Sequence, residues 1–387
     1  MLNGSAGYAV QKSMEILVAL GEIFGAKEMV QVSSVQVAGV SYHNLGDAGL
    51  EYLENLAKAG AKSKVITTLN PAGMDLENWR DLGISENFAM KQQEIIATFQ
   101  KMGIIPSCTC TPYLAGNEPK KGDHIAWSES SAVTYANSII GAKTNREGGP
   151  SALASSLTGR TSHYGMHSDH ERTAQTKVIV RTKLDAISDY GALGYATGKK
   201  LENKIPIFFN IEHPTLEQLK SLSASIATYG GTPIFHIENV TPNQTSIPSE
   251  TITIDHNDLM TAYEKLNDEN TNVDFVALGC PHCTLEEIRK IAELLKDKRV
   301  TREFWICTAR QTMKLAEQQG YADVIRESGA KFACDTCMAV APLKGRFKVL
   351  ATDSAKACYY GRGTNNFQTR IGTLTQCVNA AVTGKWN

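Results

Sequence analysis

Residues 273–290, "VDFVALGCPHCTLEEIRK", join an apolar run to a charged amphipathic run through a turn made of Gly279, Cys280, Pro281, His282 and Cys283. The run "VDFVALG" is β-prone, and "TLEEIRKIAELLKDK" carries its leucines and isoleucines at helical spacing. The pattern continues downstream. "EFWIC" reads as a strand, "TARQTMKLAEQQGYADVIRES" as helical, and "AKFAC" as another strand. Strands alternating with helices in this way predict βαβ units on a parallel sheet. Cys280, Cys307 and Cys334 each close a strand, at intervals of 27 residues. Open parallel α/β sheets gather ligands outside the carboxyl ends of their strands, so the spacing predicts a rim that carries several thiols.

Upstream lies a second α/β stretch. "KIPIFFNIE" is a strand, "TLEQLKSLSASIATYG" a helix and "TPIFHIE" a strand, followed by "NVTPNQTSIPSETITIDHND" as a turn-rich connection. The first half is less regular. "EMVQVSSVQVAGVSYHN" and "KSKVITTLNPAGMD" read as strands running into loops, and residues 104–153 are rich in Gly, Pro, Asn, Ser and Thr, with no clear helix before about Ser130. Long irregular loops inside a compact enzyme are usually functional. These shifts divide the chain into an N-terminal α/β region (1–189), a middle α/β domain (190–268) and a C-terminal α/β domain (269–387).

Composition narrows the class of function. The 387 residues are 42% hydrophobic and 20% charged, with a formal net charge of −1. No Lys/Arg-rich block stands out, which argues against a nucleic-acid or anionic-membrane surface. The N-terminal "MLNGSAGYAVQKSMEILVALGEIFGA" is interrupted by Lys12, Glu15 and Glu22, so it predicts an amphipathic helix and not a signal peptide. No apolar run reaches the roughly 20 residues of a membrane span. Nine cysteines without an export signal point to thiols or metal ligands in the cytoplasm and away from a disulfide framework.

Thiolates suit zinc and iron–sulfur clusters. The chain offers Cys108-x-Cys110, Cys280-x-x-Cys283 and Cys334-x-x-Cys337. The two CxxC pairs lie 51 residues apart, from Cys283 to Cys334, with helix, strand and helix between them. A zinc ribbon leaves about 15–20. A thioredoxin-like redox pair has no support elsewhere in the chain. In the polar stretch "SESSAVTYANSIIGAKTNREGG", Asn137, Ser138, Lys143, Asn145, Arg146 and Glu147 precede a Gly-Gly turn and suit a carboxylate or phosphate. "GVSYHN" and "TLNPAG" both follow strands, where backbone amides can hold an anion, although ordinary turn chemistry also accounts for them.

The stretch "CTCTPYLAGNEPKKGDHIAWSESSAVTYANSIIGAKTNREGGPSALASSLTGRTSHYG", with "ALGCPH" and "CDTCMAV", resembles the large subunit of aconitase X enzymes, and the likeness runs the length of the chain. The resemblance implies an iron–sulfur hydro-lyase of three α/β domains of the aconitase superfamily type. A swivelling domain would be fused or supplied by a separate small subunit. Matched residue by residue, it implies a 4Fe-4S cluster held by Cys110, Cys280 and Cys337. The reading of the residues alone leaves Cys283, Cys307, Cys334 and Cys377 as alternatives. Implied substrate contacts are Gly39, Val40, Ser41, Asn70, Pro71, Asn137 and Ser138, and Arg146 of the polar loop joins them. The "GCPH" form is similar to an archaeal branch acting on (R)-5-phosphomevalonate, a phosphorylated hydroxy acid of the mevalonate pathway, to give trans-anhydromevalonate 5-phosphate. A related branch acts on cis-3-hydroxy-L-proline. A reading of another class is an electron-transfer or structural Fe–S protein with four thiolate ligands. No base is assigned in this chain, because the resemblance implies a serine on the small subunit. His43, His124 and Glu147 are at most helpers. The sequence stops at Asn387 with no further domain, which predicts a heteromer with that small subunit.

Overall fold

A computed structural model describes all 387 residues. They form two compact units. One comprises Met1–Thr173 with Pro233–His236 and Thr241–Ser246, and the other Ala174–Thr232, Ile237–Val240 and Ile247–Asn387.

The first unit holds α1 (Tyr8–Ile23), β1 (Met29–Gln31), β2 (Ser34–Val37), α2 (Tyr42–Lys58), β3 (Ile66–Leu69), α3 (Glu86–Lys101), β4 (Ala126–Trp127), α4 (Ser130–Tyr135), α5 (Gly149–Thr158) and β5 (Arg160–Ser162). Its main sheet has the order β3-β2-β4, all parallel, and β1 pairs antiparallel with β5. All four residues of β2, "SVQV", are buried, as befits a central parallel strand covered on both faces. Val35, Val37, Leu53, Ile95, Phe99 and Leu157 form the core around it.

The second unit holds β6 (Thr176–Val180), α6 (Ile187–Leu201), β7 (Pro206–Phe209), α7 (Leu216–Tyr229), β8 (His236–Ile237, of which Ile237 falls in this unit), β9 (Thr251–Ile254) and α8 (His256–Leu266). The sheet order is β8-β7-β6-β9, with β6 parallel to both β7 and β9. Two expectations change here. The strand β6 lies upstream of residue 190 yet belongs to this sheet. The "TITI" of β9 forms an edge strand inside the stretch read as a turn-rich connection, because its β-branched residues suit a pleated surface whatever flanks them.

The same unit ends with β10 (Phe275–Cys283), α9 (Leu285–Leu295), β11 (Glu303–Thr308), α10 (Arg310–Gln318), α11 (Tyr321–Glu327), β12 (Lys331–Cys334), β13 (Val349–Thr352), α12 (Ala355–Asn365), β14 (Gln368–Ile371) and α13 (Leu374–Thr383). The sheet order is β12-β11-β10-β13-β14 and every pairing is parallel. Thr284 and Glu287 close a capping box at the start of α9. Ile288, Ile291 and Leu295 then bury one stripe of that helix, each worth roughly 1.5–3 kcal/mol. The helical stretch after Cys307 is made of two helices, α10 and α11. Gly320 adopts φ +76° and turns the chain between α10 and α11.

The predicted turn after "VDFVALG" is extended backbone through Cys283. It is irregular all the same. Leu278 pairs with Ile306 and Cys283 with Thr308, so Gly279, Cys280, Pro281 and His282 together face Cys307 alone. The Cys280–Pro281 peptide is cis. Gly279 has φ +93°, and a Cβ there would run into the Cys307 carbonyl oxygen. The Gly279→Ala variant therefore has both a backbone penalty and a steric one. Its expected cost is about 2–4 kcal/mol, to be measured as a lowered denaturant midpoint by circular dichroism.

Candidate functional site

The C-terminal sheet carries the predicted thiol rim. The strand ends are in register there, with Cys283 beside Thr308 and Thr308 beside Cys334. The residues facing Cys307 have lost their ladder partners, and side chains replace some of them. The Cys280 carbonyl accepts from Ser354 Oγ, the N-cap hydroxyl of α12. The His282 carbonyl accepts from Lys220 Nζ at 2.8 Å, and the Cys283 carbonyl from Thr308 Oγ1 at 2.8 Å. His282 is fully buried, and its Nε2 bonds the Thr336 carbonyl at 3.0 Å. It therefore ties the Cys280 segment to the segment that carries Cys337. Arg310 pairs with Asp335 in that second segment. His282 is thus a strut between two cysteine loops.

All nine cysteines are buried and none forms a disulfide. Their exposures nevertheless sort them. Cys110 and Cys280 are 7% exposed and Cys337 6%, Cys283 is 4%, and Cys108, Cys307, Cys334, Cys358 and Cys377 are 0%. A thiol that ligates a cluster needs room for the cluster beside its sulfur, which a sulfur packed on every side lacks. Burial pushes the Cys358 thiol up to about 12 and lifts Cys307 and Cys377 well above the ordinary range. The nearby Cys337, Cys283 and Cys280 lift Cys307 further. Buried thiols of this kind resist becoming ligands. Beside Cys337, the buried Thr336 Oγ1 has no hydrogen-bond partner. The donor set is soft sulfur, which fits an iron–sulfur group, although no group of three His, Cys, Asp or Glu side chains is arranged as a metal site. Cys110 lies in the first unit, and Cys280 and Cys337 in the second.

In the first unit, the loops after β2 and β3 come together. Gly39 is exposed, while Val40, Ser41 and Pro71 are buried. Ser41 caps α2 by accepting from the His43 N–H at 3.3 Å. A Cβ on Gly73 would strike Ser41 Oγ, so the two loops touch. Sequence reading missed the residue that joins them. Gln92 of α3, fully buried, accepts from Tyr42 N at 2.9 Å and Gly73 N at 3.0 Å, and donates to the Val40 carbonyl at 3.0 Å. A glutamine on an amphipathic helix reads as solvated, and no local signal marked this one. The Asn70 amide N–H reaches the Val37 carbonyl at 2.9 Å, while its buried Oδ1 has no partner.

Arg146 bridges to Trp127, which pairs with Gln36 of β2, so the polar loop lies beside the same strand end. Its guanidinium is exposed and makes no hydrogen bond or ion pair, and three residues later α5 begins. Asn137 and Ser138 differ from expectation. Both are fully buried in a π-helical turn after α4. Asn137 Nδ2 donates to the Thr144 and Pro233 carbonyls, and its Oδ1 accepts from Thr144 N and Arg172 Nη1. That exhausts the amide. Ser138 Oγ accepts from Phe235 N at 2.8 Å. The Asn137 amide is thus committed within the protein, and Ser138 Oγ is engaged as an acceptor.

The suggested helpers are similarly committed, apart from the exposed His43. The buried Glu147 carboxyl receives Ser151 Oγ and Thr161 Oγ1, and burial lifts its pKa. His124 Nδ1 bonds His167 Nδ1 at 2.9 Å. Burial, then the neighbouring His124, lowers the His167 pKa to about 3.

All three domains of the chain match family models: "Aconitase X first domain" at residues 1–170, "Aconitase X second domain" at 174–264 and "Aconitase X third domain" at 273–383. These define the class, an α/β protein of the dehydratase type with a thiol-bearing rim. The chain belongs to the aconitase X family. It is 49% identical to the phosphomevalonate dehydratase large subunit of Methanothermobacter thermautotrophicus, over 94% of this chain and 92% of that one. It is 32% identical to the cis-3-hydroxy-L-proline dehydratase of Hypocrea jecorina, over 99% of this chain and 67% of that protein. The crystal structure of Thermococcus kodakaraensis aconitase X in its holo-form superposes with a TM-score of 0.91 at 43% identity, over 98% of this chain and 97% of that one.

Two outcomes are expected. Gln92→Leu leaves two amides and a carbonyl without partners, each worth about 1–3 kcal/mol when buried. Amide hydrogen exchange should accelerate in residues 39–44 and 70–74 by at least tenfold, while the C-terminal sheet keeps its protection. The second concerns pH. The folded pKa of His167, about 3, lies below the ordinary 6.5, so below pH 6.5 the unfolded chain binds a proton that the folded chain refuses. The stability contribution of the neutral imidazole is complete above pH 6.5. It is lost at about 1.4 kcal/mol per unit as pH falls toward 3. The stability gap between the wild type and His167→Gln, read by urea titration at pH 7, 6 and 5, should narrow by that slope.

Proposed function

We infer that this chain is the large subunit of an iron–sulfur hydro-lyase that dehydrates (R)-5-phosphomevalonate to trans-anhydromevalonate 5-phosphate. Near full-length identity of 49% to a relative of that activity supports the substrate. The observation in the molecule that carries the reading is the sorting of the thiols: the three named from the family motifs, Cys110, Cys280 and Cys337, are the three most exposed of nine. They are the proposed ligands of a 4Fe-4S cluster. When bound, such a cluster supplies a Lewis acid for the departing hydroxyl.

The chain's own residues bind and orient. Arg146 and the first N–H groups of α5 offer charge and donors to a phosphate or carboxylate. That uncommitted cation favours a phosphorylated substrate over a hydroxyproline. Asn70 Oδ1, an acceptor lacking a donor, suits a substrate hydroxyl, and Gly39, Val40, Ser41 and Pro71 shape the same loops. Asn137 and Ser138 hold the polar loop from behind. The general base is proposed to come from a small partner subunit as a serine, in keeping with the relatives called large subunits. No helix is long and apolar enough to cross a membrane, and the proposed setting is the cytoplasm.

Anaerobic iron and sulfide analysis tests the ligands. Serine at Cys110, Cys280 or Cys337 should abolish the cluster, and Cys108→Ser and Cys358→Ser should keep it. Arg146→Ala should raise KM for the phosphorylated substrate about 10–150-fold, the worth of a charge-assisted hydrogen bond, in a protein of unchanged circular dichroism. Purified alone, the chain should show no turnover, and co-expression with a small swivelling-domain subunit should restore it.

A further inference from the structure

Lys220 is an unusual residue to find where it is. It sits on α7 of the middle domain, facing the core, and is 2% exposed. An ammonium is almost never buried without a reason. Its Nζ makes two recorded contacts, both outside its own domain. One is the ion pair to Glu287, on the first turn of α9. The other is the 2.8 Å bond to the His282 carbonyl, between Cys280 and Cys283. Glu287 is anchored in turn, its Oε2 also accepting from Thr284 N at 2.7 Å. Thr284 Oγ1 reaches back to Glu217, one turn before Lys220 on α7. Burial pulls the ammonium down, but Glu287 foremost and Cys283 next hold it above its ordinary pKa, so it is charged. The buried Asp353 carboxyl, beside both Glu287 and Lys220, is pushed up to about 7.

Packing does not call for this arrangement. A buried ion pair is commonly replaced by apolar side chains at no cost in stability, and often with a gain. What an apolar pair lacks is a donor for the His282 carbonyl, which stands in the segment where β10 has no ladder with β11. We propose that Lys220 is a positioning residue for the thiol site: its bond from the middle domain to the His282 carbonyl holds the Gly279–Cys283 segment in the conformation that presents Cys280. This rests on the reading of Cys280 as a cluster ligand, but the geometric part stands without it. The groups bonded by Lys220 Nζ are a backbone carbonyl and a carboxylate, and its role is positioning.

The decisive variant is the double change Lys220→Met and Glu287→Leu. It removes both charges together and leaves no unpaired ion, so the fold should survive. Lys220→Arg, which keeps a cationic donor, is the rescue control. Two readouts are taken on the full chain. The first is hydrogen exchange of the cluster-free protein. Amides of residues 279–284 should exchange at least tenfold faster in the double variant, with β6, β7 and β14 unchanged and the thermal midpoint within a few degrees of wild type. The second is anaerobic reconstitution followed by chelator challenge. The double variant should lose iron at least tenfold faster than wild type, with an altered electron paramagnetic resonance spectrum, and Lys220→Arg should recover part of both effects. Unchanged exchange at 279–284 in the folded double variant overturns the positioning role, and so does uniformly accelerated exchange across the sheet. If the wild-type chain takes up no iron and sulfide at all, the cluster reading fails, and the exchange result still decides whether Lys220 holds the segment.

Discussion

Four residues of β10 face one residue of β11, and the C-terminal site depends on that mismatch. A regular parallel ladder would fix every carbonyl of β10 against a neighbour and send successive side chains to opposite faces of the sheet. By breaking the ladder after Leu278 and resuming it at Cys283, the strand lets Cys280 leave the pleat without ending the sheet. The cost is a run of buried backbone groups outside the β10–β11 ladder. Buried carbonyls are nearly always satisfied; Ser354 and Lys220 bond two in this run from two different elements, and Thr308 bonds the Cys283 carbonyl where the ladder resumes. The same bonds that repair the ladder determine where the thiol goes.

The first unit solves a like problem with one side chain. The loops after β2 and β3 have no ladder of their own, and Gln92 spans them with one acceptor used twice and one donor. In both places an element outside the site sends a polar group through the core to grip loop backbone. Substitutions at such positions act at a distance from the chemistry, because the rigid part of each site includes the helix behind it. The supports are also more buried than the residues they support. Gln92 is fully buried and Lys220 is 2% exposed, whereas Cys280 is 7% exposed and Gly39 lies at the surface.

Legibility in the sequence follows from these facts. Strands and helices of the C-terminal sheet were readable because burial imposes a period, and β10, α9, β11 and β12 all appear where apolar runs and helical spacing put them. The rim of thiols followed from strand ends alone. The split at Gly320 was not readable, since a glycine within helical spacing is tolerated as often as it ends a helix. The edge strand β9 was hidden because turn residues surround four β-branched ones. Among site residues, the loops at Gly39–Ser41 and Asn70–Pro71 follow strands as the sequence suggests, whereas Asn137 and Ser138 look in a sequence like any polar loop residues. Only the contacts tell that the Asn137 amide is already used and that Ser138 Oγ receives the Phe235 N–H. Lys220 and Gln92 were invisible for the opposite reason. A lysine and a glutamine on amphipathic helices read as solvated, and nothing local marks the ones that turn inward.

The arginines differ in what their charge meets. Arg172 is buried and donates to the Asn137 side chain and to the carbonyls of Met166, Asn137 and Ala142, and burial lowers its pKa to about 10. Arg310 is committed to Asp335. Each is paired with groups of its own unit, and its charge is spent on holding a loop. Arg146 shares its loop with the groups that Arg172 fixes, yet it has no carboxylate, carbonyl or ring against it and points into solvent. A flexible side chain held in no contact gains nothing for the fold, while its neighbours on both sides are locked by Asn137, Thr144 and Glu147. A rigid loop that carries one loose cation at the head of a helix is the arrangement expected where the missing partner is an anion brought from outside. A phosphate on the far end of a hydroxy acid is such an anion. Binding energy drawn from that end can be used to fix the reacting carbons, which themselves present few groups to grip.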